Sequence, residues 1–162
     1  MRIKKIWAGF ALMAVLAPSP AFALLCGIPL DPMTVTATPL YFGTYTGGSA
    51  SVASATIQIN CAIPLDLLPN FTVALSGGNS GLPLGRYMQT SSTSQRLNYN
   101  IYPSLSFITP WGDGTNGTAL LSYNGVLLQL GNTSFTVYGQ LPAGQFVPPG
   151  TYSDTIMVTV SY

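Results

Sequence analysis

From residue 152 to the last residue two rows of side chains alternate without a break, Tyr152, Asp154, Ile156, Val158, Val160 and Tyr162 against Ser153, Thr155, Met157, Thr159 and Ser161. A period of two is extended backbone, one row facing inward and one outward. The same period recurs upstream in Ala55, Ile57, Ile59 and Cys61, in Phe71, Val73 and Leu75, in Leu97-Asn98-Tyr99-Asn100-Ile101-Tyr102 and in Phe135-Thr136-Val137-Tyr138. An earlier strand, Val35 to Phe42, is broken at Pro39, which marks an edge or a switch between sheets. Beyond residue 34 no run of apolar residues at i, i+3, i+4 and i+7 is long enough for a helix.

Turn residues punctuate these runs: Gly47-Gly48, Ser76-Gly77-Gly78-Asn79, Asp113-Gly114, Asn116-Gly117, Asn124-Gly125, Gly131-Asn132 and Pro148-Pro149-Gly150. The pattern predicts an all-β fold, an antiparallel Ig-like β-sandwich in a single domain. Six strands are expected, at about 35–42, 53–61, 71–76, 97–102, 135–141 and 152–162, whereas an Ig-type sandwich has about seven. With Tyr162 as the last residue, the final strand is expected to lack a hairpin partner after it. Either residues 104–110 or 120–130 complete the sheet internally, or the fold is incomplete and a partner supplies the missing strand.

The other end of the chain reads as an export signal. Basic Met1-Arg2-Ile3-Lys4-Lys5 precedes an apolar run from Ile6 to Ala17, and Pro18-Ser19-Pro20 leads to the small-residue site Ala21-Phe22-Ala23. Removal of a signal peptide 1–23 leaves the domain 24–162, which holds two Arg, four Asp and no Lys. Two cations cannot build a phosphate-binding footprint, so nucleic acid is excluded as a partner. Cys26 and Cys61 lie in the exported part, where an oxidising compartment favours a disulfide; two free buried thiols are the alternative. The whole chain contains no His. Ser-His-Asp and Cys-His catalysis and the usual zinc sites are thereby removed, and Ser-Lys catalysis is lost with the signal peptide. A glycosidase-like carboxylate pair remains formally open, but all four Asp stand beside Gly, Pro or strand ends, where structural duty is expected. The chain is therefore expected to be neither an enzyme nor in need of a cofactor or metal. Trp111-Gly112-Asp113-Gly114-Thr115-Asn116-Gly117 lacks the acidic density of a calcium loop and reads as a turn with a packed Trp. The tyrosines suit packing on sheets better than a carbohydrate-stacking surface.

Several segments, in order, carry a family resemblance. They are Ala37-Thr38-Pro39-Leu40-Tyr41-Phe42-Gly43-Thr44-Tyr45, Ile57-Gln58-Ile59-Asn60-Cys61, Leu97 to Tyr102, Trp111 to Thr118, Val137 to Gln145, and Gly150 to Val160. In these the chain resembles the spore coat protein U domain family, the subunits of archaic chaperone-usher pili. The resemblance implies an Ig-like fold lacking its seventh strand, held by a periplasmic chaperone and passed through an outer-membrane usher to neighbouring pilus subunits. It implies a Cys26–Cys61 disulfide between the first two strands, and a donor-strand or chaperone groove formed by Tyr152, Ile156, Val158, Val160 and Tyr162. The expected location is the cell surface, reached through the periplasm, and the expected role is attachment and biofilm formation. A surface or glycan receptor is a further candidate partner. Only Leu24 and Leu25 precede Cys26, too little for a donor strand, which suggests a subunit at the fibre tip. The competing reading is a self-contained secreted coat or carbohydrate-binding module.

Overall fold

The computed structural model describes residues 33–60, 70–90, 94–124 and 132–161. The signal-peptide and disulfide expectations, including Cys26 and Cys61, fall outside these residues, as does Tyr162. Among these residues nine strands pair antiparallel: β1 (Thr34–Ala37), β2 (Ser51–Asn60), β3 (Asn70–Leu75), β4 (Tyr87–Gln89), β5 (Arg96–Asn98), β6 (Asn100–Tyr102), β7 (Leu121–Asn124), β8 (Asn132–Leu141) and β9 (Val158–Ser161). One sheet runs β1-β2-β8-β6, a second runs β7-β3-β9, and β4 and β5 form a separate pair. Among the described residues the only helical pieces are two 3-10 turns, Gly78–Ser80 and Pro83–Gly85.

Period two becomes burial wherever two sheet faces meet. On β2 the residues Ala55, Ile57 and Ile59 are buried, and on β3 Phe71, Val73 and Leu75, while their neighbours remain at least partly exposed. Trp111 lies beneath β3 and is fully buried, its indole N–H donating to Val73 O at 2.9 Å. A Trp of this size is tolerated in the core because its one polar atom is satisfied there. Phe71 stacks on Tyr123 with ring centroids 4.8 Å apart, and the ring of Phe135 meets Phe71, Tyr123 and Trp111 edge-on.

The expected strands are present with altered ends. The first is regular only to Ala37; Thr38 makes a last backbone bond to Thr56 O at 2.9 Å, and Pro39 lacks its N–H on the side away from β2, as suits an edge strand. Beyond it Leu40 and Phe42 fold over the core, which Gly139 permits: a Cβ there would lie 2.5 Å from Leu40 Cδ2 and 2.7 Å from Phe42 Cζ. The strand expected over 97–102 divides at Tyr99, whose N–H donates to Arg86 O, so that β5 pairs with β4 and β6 with β8. The expectation of one continuous strand fails because a single stretch serves two sheets. β4 was not expected, whereas β7 lies in one of the two segments offered for an internal strand. β7 falls within 120–130, yet it joins β3 on the side away from β9, and residues 104–110 form turns, so no described residue of either segment pairs with the last strand.

Candidate functional site: a groove between two open strand edges

Among the described residues the last strand is held on one side only. Ser76 N–H donates to Met157 O at 3.0 Å, and the register continues with Ala74 opposite Thr159 and Thr72 opposite Ser161. In an antiparallel pair alternate residues point their backbone groups at the partner. The odd-numbered residues of the last strand therefore face β3, and the backbone N–H and C=O of Ile156, Val158 and Val160 face the open edge. On the side-chain rows the parity is the one expected from sequence. Tyr152, Asp154, Ile156, Val158 and Val160 are half-buried, and Ser153, Thr155, Met157, Thr159 and Ser161 are exposed. Regular pairing with β3 begins only at Val158; farther back Ser153 bridges to Gln89 instead, with reciprocal bonds of 2.9 and 3.1 Å.

β1 mirrors this edge. Thr38 bonds to Thr56, so Thr34 and Thr36 likewise face β2, and the backbone groups of Val35 and Ala37 point away from it. The side chains of Val35 and Ala37 lie opposite Ile59 and Ile57, on the core face, yet Val35 is 40% exposed. Farther along, beyond Val35, a gap opens between the two edges. A cleft of about 470 Å³ runs there, walled by Ala37, Leu40 and Phe42 on one side and by Ile156 and Val158 on the other, with Ile57 among the residues that line it. A second cleft of about 560 Å³ adjoins it, reaching Tyr45, Leu97 and Val147, and the two share Leu40, Phe42, Met88 and Tyr152.

One polar cluster interrupts the apolar lining. Asp154 Oδ1 accepts from the N–H groups of Asn79 and Thr155, both at 2.7 Å, and Oδ2 accepts from the Tyr99 hydroxyl at 2.8 Å. Burial, reinforced by this hydrogen bond, pushes the Tyr99 hydroxyl far above the ordinary phenol range. Arg86, 1% exposed, spends its guanidinium on oxygens: Nε and Nη2 donate to Ser76 O, Nη2 also to Leu75 O and Trp111 O, and Nη1 to Pro83 O and Asn100 Oδ1. Burial lowers its proton affinity, against the opposing pull of Tyr99 and Asp154. These groups tie the turn before β4 to β3, β6 and the Trp111 loop.

Of the residues singled out from sequence, Tyr152, Ile156 and Val158 line the groove, and Val160 continues their row along the strand beyond the lining residues. Asp113 serves its turn, as expected: its Oδ1 accepts from Thr115 N and Oγ1, and those bonds hold its carboxyl below the usual range. Among the described residues no group of three metal-ligating side chains is assembled. Sequence reasoning passed over Arg86, Tyr99 and the opposite wall of Leu40 and Phe42. Asp154 carried a readable signal, since it shares its row with four apolar residues.

A family model described as Spore Coat Protein U domain matches residues 15–159. Protein U of Myxococcus xanthus is 27% identical over 180 residues, spanning 92% of this chain and 97% of that protein. A chain in the CsuC–CsuE chaperone and tip adhesion subunit pre-assembly complex, from the archaic chaperone-usher Csu pili of Acinetobacter baumannii, superposes with a TM-score of 0.58 at 19% identity. The match covers 82% of this chain and 40% of that one, so this chain spans about two fifths of its length. A chaperone–tip adhesin complex of CFA/I fimbriae gives a TM-score of 0.47 at 12% identity, covering 78% of this chain and 41% of that one. The likeness to the Acinetobacter chain gives the fold as an Ig-like sandwich with open sheets, and by its family the chain is a structural protein rather than an enzyme.

Proposed function

This chain belongs to the spore coat protein U domain family, and from that membership we propose that it is a subunit of a bacterial surface pilus assembled by donor-strand complementation. The observation that carries the reading is the pair of edges, β1 and the last strand, left unpaired among the described residues on either side of one apolar groove. Unpaired edges beside a half-covered core invite aggregation, and an extended segment with alternate apolar side chains would satisfy edges and core together. In this reading Tyr152, Ile156, Val158, Val160 and Tyr162 line the strand-accepting site.

A periplasmic chaperone fills the groove first, an outer-membrane usher passes the subunit outward, and a neighbouring pilus subunit then supplies the lasting strand. The chaperone in the similar Acinetobacter complex supports the first of these partners. The signal peptide 1–23 directs export, and Cys26 and Cys61 form a disulfide. A position at the fibre tip, with the loops around residues 77–96 and 104–134 turned to a surface or glycan receptor, would serve attachment and biofilm formation. The description of the matching family favours a second reading, a self-contained secreted coat protein.

Periplasmic expression with and without a chaperone from a pilus system, followed by amide hydrogen exchange on the purified chain, separates the two. A strand acceptor is recovered mainly as a chaperone complex, and the amides of Ile156, Val158 and Val160 exchange fast until a strand is bound. A stable monomer in which those amides are already protected would refute the proposal.

A further inference from the structure

We propose that Asp154 selects the incoming strand by hydrogen bonding, favouring a segment whose inward row is apolar except for one short neutral donor, Ser, Thr or Asn; this rests on the strand-accepting reading above. Every other inward residue of the last strand from Tyr152 to Val160 is apolar or aromatic, so Asp154 is the one carboxylate on that row. A carboxylate has about four acceptor positions. Oδ1 fills two, with Asn79 N and Thr155 N, whereas Oδ2 holds only the Tyr99 hydroxyl. Both Asp154 and Tyr99 line the cleft. The unfilled position is therefore on the oxygen shared with Tyr99, beside the path of an inserted strand.

Charge decides which donor fits. Arg86 is buried close enough to act electrostatically on Asp154, so the two together leave little net charge beneath the groove. An incoming Lys or Arg would add a cation that is not balanced there, and an incoming Asp or Glu would be repelled. An apolar side chain would cover Oδ2 and strip its remaining position of water without replacing the bond. A neutral hydroxyl or amide satisfies the oxygen at no cost in charge. The match also fixes register: a slip of two residues carries the donor onto Tyr152 or Ile156, and a slip of one turns it to the outer face. Asp154 would thus act as a specificity residue in a site whose other contacts accept any apolar side chain of suitable size.

The test uses the purified mature chain and fluorescent peptides with Val at every inward position and Ser at every outward one. A single Thr, isosteric with Val, is stepped through the inward positions, and Lys is placed at the same positions in a second series. At one position Thr should bind about tenfold to a hundredfold more tightly than Val, and in Asp154→Ala that preference should fall to within about twofold while the all-Val peptide still binds. The wild-type series decides alone if Asp154→Ala does not fold. Binding of the all-Val peptide with no position favouring Thr overturns the role of Asp154 and leaves strand acceptance standing. Lys outranking Thr overturns the neutral donor, and a Thr preference that survives in Asp154→Ala overturns the assignment to that residue. Binding of no peptide overturns this proposal together with the reading beneath it.

Discussion

Replacing Arg86 by Met removes six hydrogen bonds and leaves five acceptor oxygens behind. A buried ion pair can often be exchanged for apolar residues at little cost, because both charges leave together. Here the partners are mostly backbone carbonyls, which no side-chain substitution removes. The bonds from Nη2 to Leu75 O and Trp111 O are fully buried, at 3.2 and 2.8 Å. Each orphaned buried acceptor costs ~1–3 kcal/mol, which brackets the pair at about 2–6 kcal/mol. Ser76 O, Pro83 O and Asn100 Oδ1 are only partly buried and regain water. Relief from keeping a desolvated guanidinium offsets part of the loss, so the expected net effect of Arg86→Met is about 3–4 kcal/mol. Arg86→Lys should fall between, since an ammonium has three donors for five acceptors. Urea denaturation of the mature chain with a groove-filling peptide in excess reads this directly. With a slope of about 1–3 kcal/mol per molar, the Met midpoint should drop by ~1–4 M at unchanged slope. A Met variant within about 1 kcal/mol of the parent would refute the reasoning, because the orphaned carbonyls would then have found other partners.

Three further outcomes are expected. Val158→Asp and Val160→Asp put a carboxylate on the inward row with no partner and should abolish periplasmic accumulation, whereas Thr159→Asp, on the exposed row, should accumulate nearly as the parent does; equal levels would contradict the assignment of faces. Intact mass before and after alkylation should reveal no reactive thiol until Cys26 and Cys61 are reduced, and loss of either cysteine should cost ~2–5 kcal/mol. Tyr99 is held neutral in the fold, so the unfolded chain loses this proton first, and the stability it contributes is intact below about pH 10 and lost as pH rises toward the higher folded value. Alkaline unfolding should accordingly be less steep in Tyr99→Phe; an unchanged slope above about pH 10 would disprove that linkage.

How much of this was legible depended on the range of the interaction. The row Tyr152, Ile156, Val158 and Val160 is local: a period of two within one strand states which face is inward before any partner is known. Pro39 also carried its message locally, marking β1 as an edge: its missing N–H falls on the side away from β2. Arg86 did not. Its role depends on carbonyls at residues 75, 76, 83 and 111, brought together by the chain's path rather than by any spacing. A lone Arg among turn residues reads as a surface charge until that path is known. The division of 97–102 at Tyr99 was hidden for a similar reason, since side-chain alternation continues smoothly while the hydrogen-bonding partner changes from β4 to β8. Asp154 lay between these cases: its row was visible, but its tie to Asn79 and Tyr99 was not.

The last strand bridges to Gln89 at Ser153 and pairs with β3 from Val158 onward, so one length of chain is fastened to two separate sheets. In a pilus, tension would enter each subunit through the strand seated along this edge, and the pull would run along the strands rather than across them. Hydrogen bonds arranged side by side and loaded in shear share the force, whereas bonds opened from one end break in turn. The double fastening would then pass the load from the seated strand to β3 and to the β4–β5 pair at once, spreading it across the sandwich before any one ladder yields.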